Sequence, residues 1–415
     1  MKFEFIGNAC GIFHGSKGTK VLCDPWIVDG VFEGSWFHYP PLKTKISDLQ
    51  NVDAIYLSHI HPDHFDDRFF NFSKDKKIIL LDEGPNFLKK KLFSMGYKNL
   101  LEIKNNETKA FNEFKLTMFK PFASHIYEES FIGNLIDSAI VFQENNITAI
   151  NFNDNTPTSD TSKFLKEKFN KIDLAMINYN AAGPYPSCFD NLSEDQKKSE
   201  NERILKRNFN HVYEMLKILK PEYVLPFAGS YVLGGKNVIK NEYLGTTTWD
   251  ECADYLNKKD LITKVTCMRE NQKFDLSLKK LSSEYERINT SEMKKYFEKI
   301  KDERYSYEKE DSVDLIKLQN DLELAKDNLN SKISKFNVDI KSNVIIKIND
   351  KEHKVIEGKD SNRYLYCDMD LRLLRRILDR KSHWNNAEIG CHINFIRTPN
   401  KMDPDAHKAL CFLHL

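Results

Sequence analysis

The chain has 415 residues, with 62 Lys and Arg against 61 Asp and Glu and a net charge of +1. That length accommodates two domains with a full apolar core each, and the balanced charge excludes the global basic field of a nucleic-acid binder. Eight cysteines are scattered without the spacing of a small disulfide scaffold, Glu4 falls where an apolar leader would begin, and no apolar run reaches membrane-spanning length. The expectation is a soluble cytoplasmic protein with reduced thiols and neither a membrane nor a nucleic-acid partner.

In chain order, Lys2–Ile6 and Ile12–His14 read as strands around the turn 7–11, and Thr19–Cys23 as a third, which Asp24-Pro25-Trp26 closes because proline cannot extend the ladder. Asp24 suits either a turn cap or a carboxylate that orients a metal-bound histidine. The aromatic stretch 31–41, with Trp36, reads as a pocket wall or a loop pinned by its rings. Asp53–Leu57 is a short buried strand, and Ser58-His59-Ile60-His61-Pro62-Asp63-His64 follows it. Pro62 suits the first turn of a helix, so a tight strand-to-helix loop turns several imidazoles and a carboxylate toward one point. Nitrogen and oxygen donors so gathered suit Zn²⁺, Fe or Mn²⁺ without choosing among them. The plain alternative, a polar loop with solvated histidines, leaves the crowding of these groups uncompensated.

Further strands are expected at 77–81, 101–104 and 114–121, with a helix at 85–94, and the strand 114–121 delivers Ser124-His125. Asp137–Phe142 and Ile147–Phe152 form a hairpin about Asn145-Asn146, leading into Asn153-Asp154-Asn155. The strand 172–177 empties into a loop rich in Gly, Pro and aromatics whose Asn180 and Tyr185 suit recognition of a polar, ring-shaped substrate. An amphipathic helix over about 200–219 precedes the strand-end Tyr223–Tyr231.

His59-x-His61-x-Asp63-His64 after an apolar strand resembles the ligand motif of the metallo-β-lactamase fold. The resemblance implies an α/β (α+β) architecture, a four-layer αββα sandwich with one or two metals at the sheet edge, and it names the fold better than the reaction. It further implies His125 as the next ligand and Asp154 as a bridge, giving the metal set His59, His61, Asp63, His64, His125 and Asp154, with Asp63 and Asp154 as catalytic carboxylates. Two-metal hydrolases of this fold offer a final histidine after the last strand, where this chain has Ala228-Gly229-Ser230, so the second position is one protein ligand short.

That departure, with Asp24-Pro25-Trp26, Phe32-x-x-x-Trp36, Ala182–Pro186 and Pro226–Tyr231, resembles the catalytic part of the CMP-N-acetylneuraminate hydroxylase family over roughly residues 1–275, and more faintly at Trp384-Asn385. The resemblance implies a hydroxylase of an N-acyl or nucleotide-activated sugar, with Trp36, Asn180, Tyr185, Ser230 and Tyr231 as substrate-binding residues. The family's Rieske domain needs Cys-x-His and Cys-x-x-His pairs, and the one Cys-x-x-His here is Cys411–His414. An oxygenase would therefore draw electrons from a separate electron-transfer protein. The alternatives are a metal-dependent hydrolase of an amide, ester or phosphodiester, needing no electrons, and a non-catalytic sugar or nucleotide binder with a degenerate site.

The catalytic domain is expected over 1–280, followed by a charged helical connector over 281–336, where acids and bases alternate as on a solvated face. Residues 337–415 form a small α+β domain resembling a sterol-carrier module, with a hairpin about Asn349-Asp350, a strand at 364–367, a helix near 370–380, a strand at 389–396 and a helix at 404–415. It is expected to cover the active site or form a homodimer contact.

Overall fold

The computed structural model describes residues 1–70, 74–84, 86–123 and 137–415. Among them, eight strands make a first sheet, and four consecutive members running to one edge, Lys20–Cys23, Ala54–Tyr56, Lys77–Leu81 and Leu100–Ile103, are parallel. Seven strands make a second sheet, in which the hairpin Ala139–Glu144 with Ile147–Asn151 leads into the parallel strands Leu174–Ile177 and Tyr223–Pro226. The alternation of strand side chains sorts the first sheet into two apolar faces. Phe3, Phe13, Val21, Ala54, Tyr56 and Ile79 meet the second sheet, with Phe13 stacked on Phe142 at 4.0 Å. Ile12, Leu22, Ile55 and Ile78 point the other way, where Leu88 and Leu92 of the helix Phe87–Ser94 cover them. Helices Ser159–Phe169 and Glu194–Leu219 pack with the second sheet through Leu165, Val212 and Leu216. The architecture is the expected four-layer αββα sandwich.

A four-stranded sheet, in the order Lys351–Ile356, Asn343–Ile348, Tyr364–Asp368 and Asn394–Thr398, forms the core of the C-terminal α+β unit. Its apolar core continues without a break into Trp26, Phe32, Trp36, Phe189 and Tyr231 of the sandwich. The helix Leu315–Phe336 contributes Leu318, Leu322, Ala325 and Leu329 to that same core, so its alternating charges lie on one face of an amphipathic helix.

Three local readings change. After Pro62 the chain makes one turn, with the Phe65 amide donating to the His61 carbonyl at 2.8 Å, and a 3₁₀ segment Asp67–Phe70 replaces a full helix. The turn ends where the Asp66 carboxylate accepts from the Arg68 amide and guanidinium. The long helix begins at Glu194, because Ser193 and Gln196 cap each other reciprocally ahead of the apolar stripe. Trp384–Ile389 is helical, and Cys391 at φ 57° separates it from the strand beginning at Asn394.

Candidate metal centre

The strand Ala54–Tyr56 lies between two parallel neighbours, so the turn after it emerges at the carboxyl edge of the sheet, where open α/β folds gather ligands. Asp24, leaving the neighbouring strand at φ 41°, is fully buried there. Its Oδ1 accepts from the Ser58 amide at 2.8 Å and its Oδ2 lies 3.0 Å from His64 Nδ1. The second sheet delivers Asp154 just past Ile147–Asn151, and the Asn178 amide, just past Leu174–Ile177, donates to Asp154 Oδ1 at 2.6 Å. Asn8, in the first turn, donates to Asp63 Oδ2 at 3.3 Å and accepts from the Ser230 amide at 3.1 Å.

Two sets of donors result. His59 Nε2 lies 2.9 Å from His61 Nδ1 and 3.2 Å from Asp137 Oδ1, and one donor atom of each residue falls within 4.8 Å of the others. His64 Nε2 lies 3.4 Å from both Asp63 Oδ2 and Asp154 Oδ2. Ligand bonds of about 2.1 Å put donor atoms about 3.0 Å apart at right angles and about 3.4 Å apart at the tetrahedral angle, so the contacts at His59 Nε2 and at His64 Nε2 each have the spacing of atoms that share a cation, and one donor atom each of His59, His64 and Asp154 also falls within 4.8 Å of the others. His64 Nε2 is buried with no hydrogen-bond partner among the described residues, as suits a nitrogen whose lone pair is meant for a metal. The far nitrogens are held by neighbours: Ser58 Oγ lies 2.9 Å from His59 Nδ1, Asn385 Oδ1 lies 3.0 Å from His61 Nε2, and Asp24 holds His64. Such outer partners fix the ring orientation and tautomer of ligating histidines.

Burial, then the neighbouring His64 and His61, pushes the His59 pKa well below its usual value. Burial acts the same way on His64, but the carboxylates of Asp63, Asp154 and Asp24 outweigh it and raise that pKa well above the usual value. Burial also raises the Asp24 carboxyl against the opposing pull of His64. For Asp63 burial raises the pKa too, but His64 and His61 prevail and lower it.

The structure therefore brings together His59, His61, Asp63, His64 and Asp154, while His125 lies outside the described residues. Asp137 joins the first set. In the sequence it had the appearance of a strand-opening aspartate, and its position before Ser138, whose Oγ donates to the Ser58 carbonyl at 3.0 Å, is what carries it to the histidines. The five residues expected to contact substrate have these neighbours. Trp36 stacks on Tyr231 at 3.4 Å inside the core shared with the C-terminal unit. Asn180 Nδ2 is spent on the carbonyls of Gly229 and Thr247. Tyr185 lies under the Arg397 guanidinium at 4.9 Å, and the Ser230 hydroxyl donates to the Tyr39 carbonyl. Ser230 also lines a cavity of about 650 Å³.

No family model matches the chain. Over 236 residues, 55% of this chain and 43% of the relative, it is 27% identical to a Mycolicibacterium smegmatis protein named as a Rieske 2Fe-2S iron-sulfur protein. Over 119 residues, 28% of this chain and 46% of the relative, it is 26% identical to a metal-dependent hydrolase of Koribacter versatilis. The chain thus spans less than half the length of these curated relatives. Among solved structures it is similar to a possible metal-dependent hydrolase from Veillonella parvula, with 18% identity, a TM-score of 0.48, and coverage of 66% of this chain and 98% of that one. No helix among the described residues is long and apolar enough to cross a membrane.

Proposed function

We propose that this protein is a metal-dependent oxygenase that holds one transition-metal ion on His59, His61 and Asp137 and a second on Asp63, His64 and Asp154. The resemblance implies His125 as a further ligand. The observation that carries the reading is the convergence of nitrogens and oxygens at 2.9–3.4 Å about the buried His59 and His64. Two imidazoles with one carboxylate is a donor set that non-haem iron and catalytic zinc sites share, so it suits a redox iron without selecting it over zinc. The relative named for a Rieske centre supports a redox reaction.

The metals, when bound, supply dioxygen activation. The balanced reaction inserts one oxygen atom of O₂ into a C–H bond and releases the other as water, consuming two electrons and two protons. A separate iron–sulfur electron-transfer protein provides the electrons. The substrate class implied by the family resemblance is an N-acyl or nucleotide-activated sugar, hydroxylated on its acyl methyl group. The chain's own part is to orient. Asn178 and Asn8 hold Asp154 and Asp63, and Asp24 holds His64. The Koribacter versatilis relative supports a second reading in which the same centre lowers the pKa of bound water to about 7 and drives hydrolysis. Metal analysis of the purified protein with oxygen-electrode measurements under an added reductant separates them. Iron with reductant-dependent oxygen uptake is expected, whereas zinc alone with no uptake overturns the oxygenase.

A further inference from the structure

The C-terminal unit reaches the centre through the side chain of Asn385. Asn385 sits on the helix Trp384–Ile389, and its Oδ1 lies 3.0 Å from His61 Nε2, across 324 residues of sequence. The helix is clamped to the sandwich on several sides. The Trp36 indole donates to the Ile389 carbonyl at 3.2 Å, His392 Nε2 meets the Phe32 carbonyl at 2.8 Å, and the Asn237 amide donates to the Cys391 carbonyl at 2.9 Å. Trp384, next to Asn385, is 1% exposed. The position of the amide is thus set by packing between the two units.

A neutral imidazole carries one N–H. His61 Nδ1 faces His59 Nε2 at 2.9 Å, and Asp137 Oδ1 lies 3.2 Å from that same His59 nitrogen, so Nδ1 is the atom turned toward a shared cation. The proton must then reside on Nε2, where only an acceptor is compatible with it. The Asn385 carbonyl oxygen is that acceptor, and the amide NH₂ in its place would oppose the required tautomer.

We propose that Asn385 is a positioning residue of the metal centre, which locks His61 in the Nε2–H tautomer and makes the C-terminal unit part of the metal-binding apparatus. This rests on the metal reading above. It explains why the apolar core continues between the units: a misplaced helix Trp384–Ile389 would release His61.

Two substitutions test it. Asn385→Leu keeps the volume and removes the acceptor, while Asn385→Asp keeps an acceptor in place. Titration of metal-free protein with Co²⁺, followed by its visible absorption, is expected to show binding at the first position weakened about 10–100-fold in Asn385→Leu and restored to within a few-fold in Asn385→Asp. Equal affinity in the wild type and Asn385→Leu, or equal loss in both variants, overturns the proposal. Nitrogen-15 NMR of histidine-labelled, metal-free protein reads the His61 tautomer independently of any metal. Nε2–H in the wild type and a mixture in Asn385→Leu supports the proposal, and an unchanged tautomer overturns it. Should the wild type take up no Co²⁺, the metal reading fails, and the NMR result alone decides the role of Asn385.

Discussion

The histidines of the two donor sets come from one short stretch of chain yet stand in opposite electrostatics. In the first set, two imidazoles face each other beside a single carboxylate, Asp137. In the second, one imidazole has Asp63 and Asp154 at Nε2 and Asp24 at Nδ1. His59 and His64 are equally buried, yet their pKa values move in opposite directions, because burial dominates at His59 and three carboxylates override it at His64. A motif sets where the histidines stand. Elements far away in the sequence, the strand before Asp24 and the second sheet before Asp154, set how each one behaves.

The sharpest way to break this comparison is to remove one histidine at a time. His59→Ala is expected to lose the ion at the first position and keep the second, and His64→Ala the reverse. Each loss should exceed the roughly 10–100-fold cost of removing an outer partner. Metal content after dialysis, determined per chain for each variant, checks it. Equal loss of all metal in both variants would mean a single shared ion.

A third buried imidazole serves as the control for burial with no carboxylate in hydrogen-bond contact among the described residues. His392 lies between the Tyr307 hydroxyl at 3.0 Å and the Phe32 carbonyl at 2.8 Å, and burial lowers its pKa from 6.5 to about 4. Below pH 6.5 the unfolded chain takes up a proton that the folded chain refuses. The neutral ring is therefore fully tolerated above pH 6.5, and stability falls as the pH drops toward 4, by on the order of 3 kcal/mol over the whole window. Urea denaturation at pH 7 and pH 4.5 should show the wild type losing more stability than His392→Asn, and equal losses in the two proteins would contradict the assignment.

The outer partner of the anionic set gives a smaller effect. Asp24→Asn keeps the shape and removes a charge next to His64, so affinity for the second ion is expected to fall about 10–100-fold while the first ion is unaffected. Stepwise titration of metal-free protein with Zn²⁺ distinguishes the two positions.

Much of this molecule was legible in the sequence for physical reasons. The strands around the centre are short apolar runs, and the histidine cluster lies within seven residues, so local pattern was enough to place both. What local pattern could not show was contact across the chain. Asp137 meets His59 across 78 residues, and its carboxylate carries no periodic mark. The helix Leu315–Phe336 looked like a solvated connector because its charges outnumber its buried Leu318, Leu322 and Leu329, and only the partner surface shows which face is inward. The start of the helix at Glu194 was missed because a polar first turn has no apolar stripe, although Ser193-x-x-Gln196 was available as a capping box.

Asn178 belongs to the same class of long-range contacts and supplies the mildest test. Its amide donates to Asp154 Oδ1 at 2.6 Å, while Asp154 Oδ2 faces His64 Nε2 at 3.4 Å. Removing the donor leaves both carboxylate oxygens in place and takes away one charge-assisted hydrogen bond, a change of about 1.5–3 kcal/mol at most where the acceptor is charged and less where solvent can replace the donor. Asn178→Ala is therefore expected to weaken the second ion by about 10-fold or less, to leave the first untouched, and to spare the fold. Because Asp154 is the carboxylate here that is part exposed, at 26% of its side chain, water can take the place of Asn178. An effect as large as that of Asp24→Asn would show instead that Asn178 holds Asp154 in a geometry water cannot reproduce.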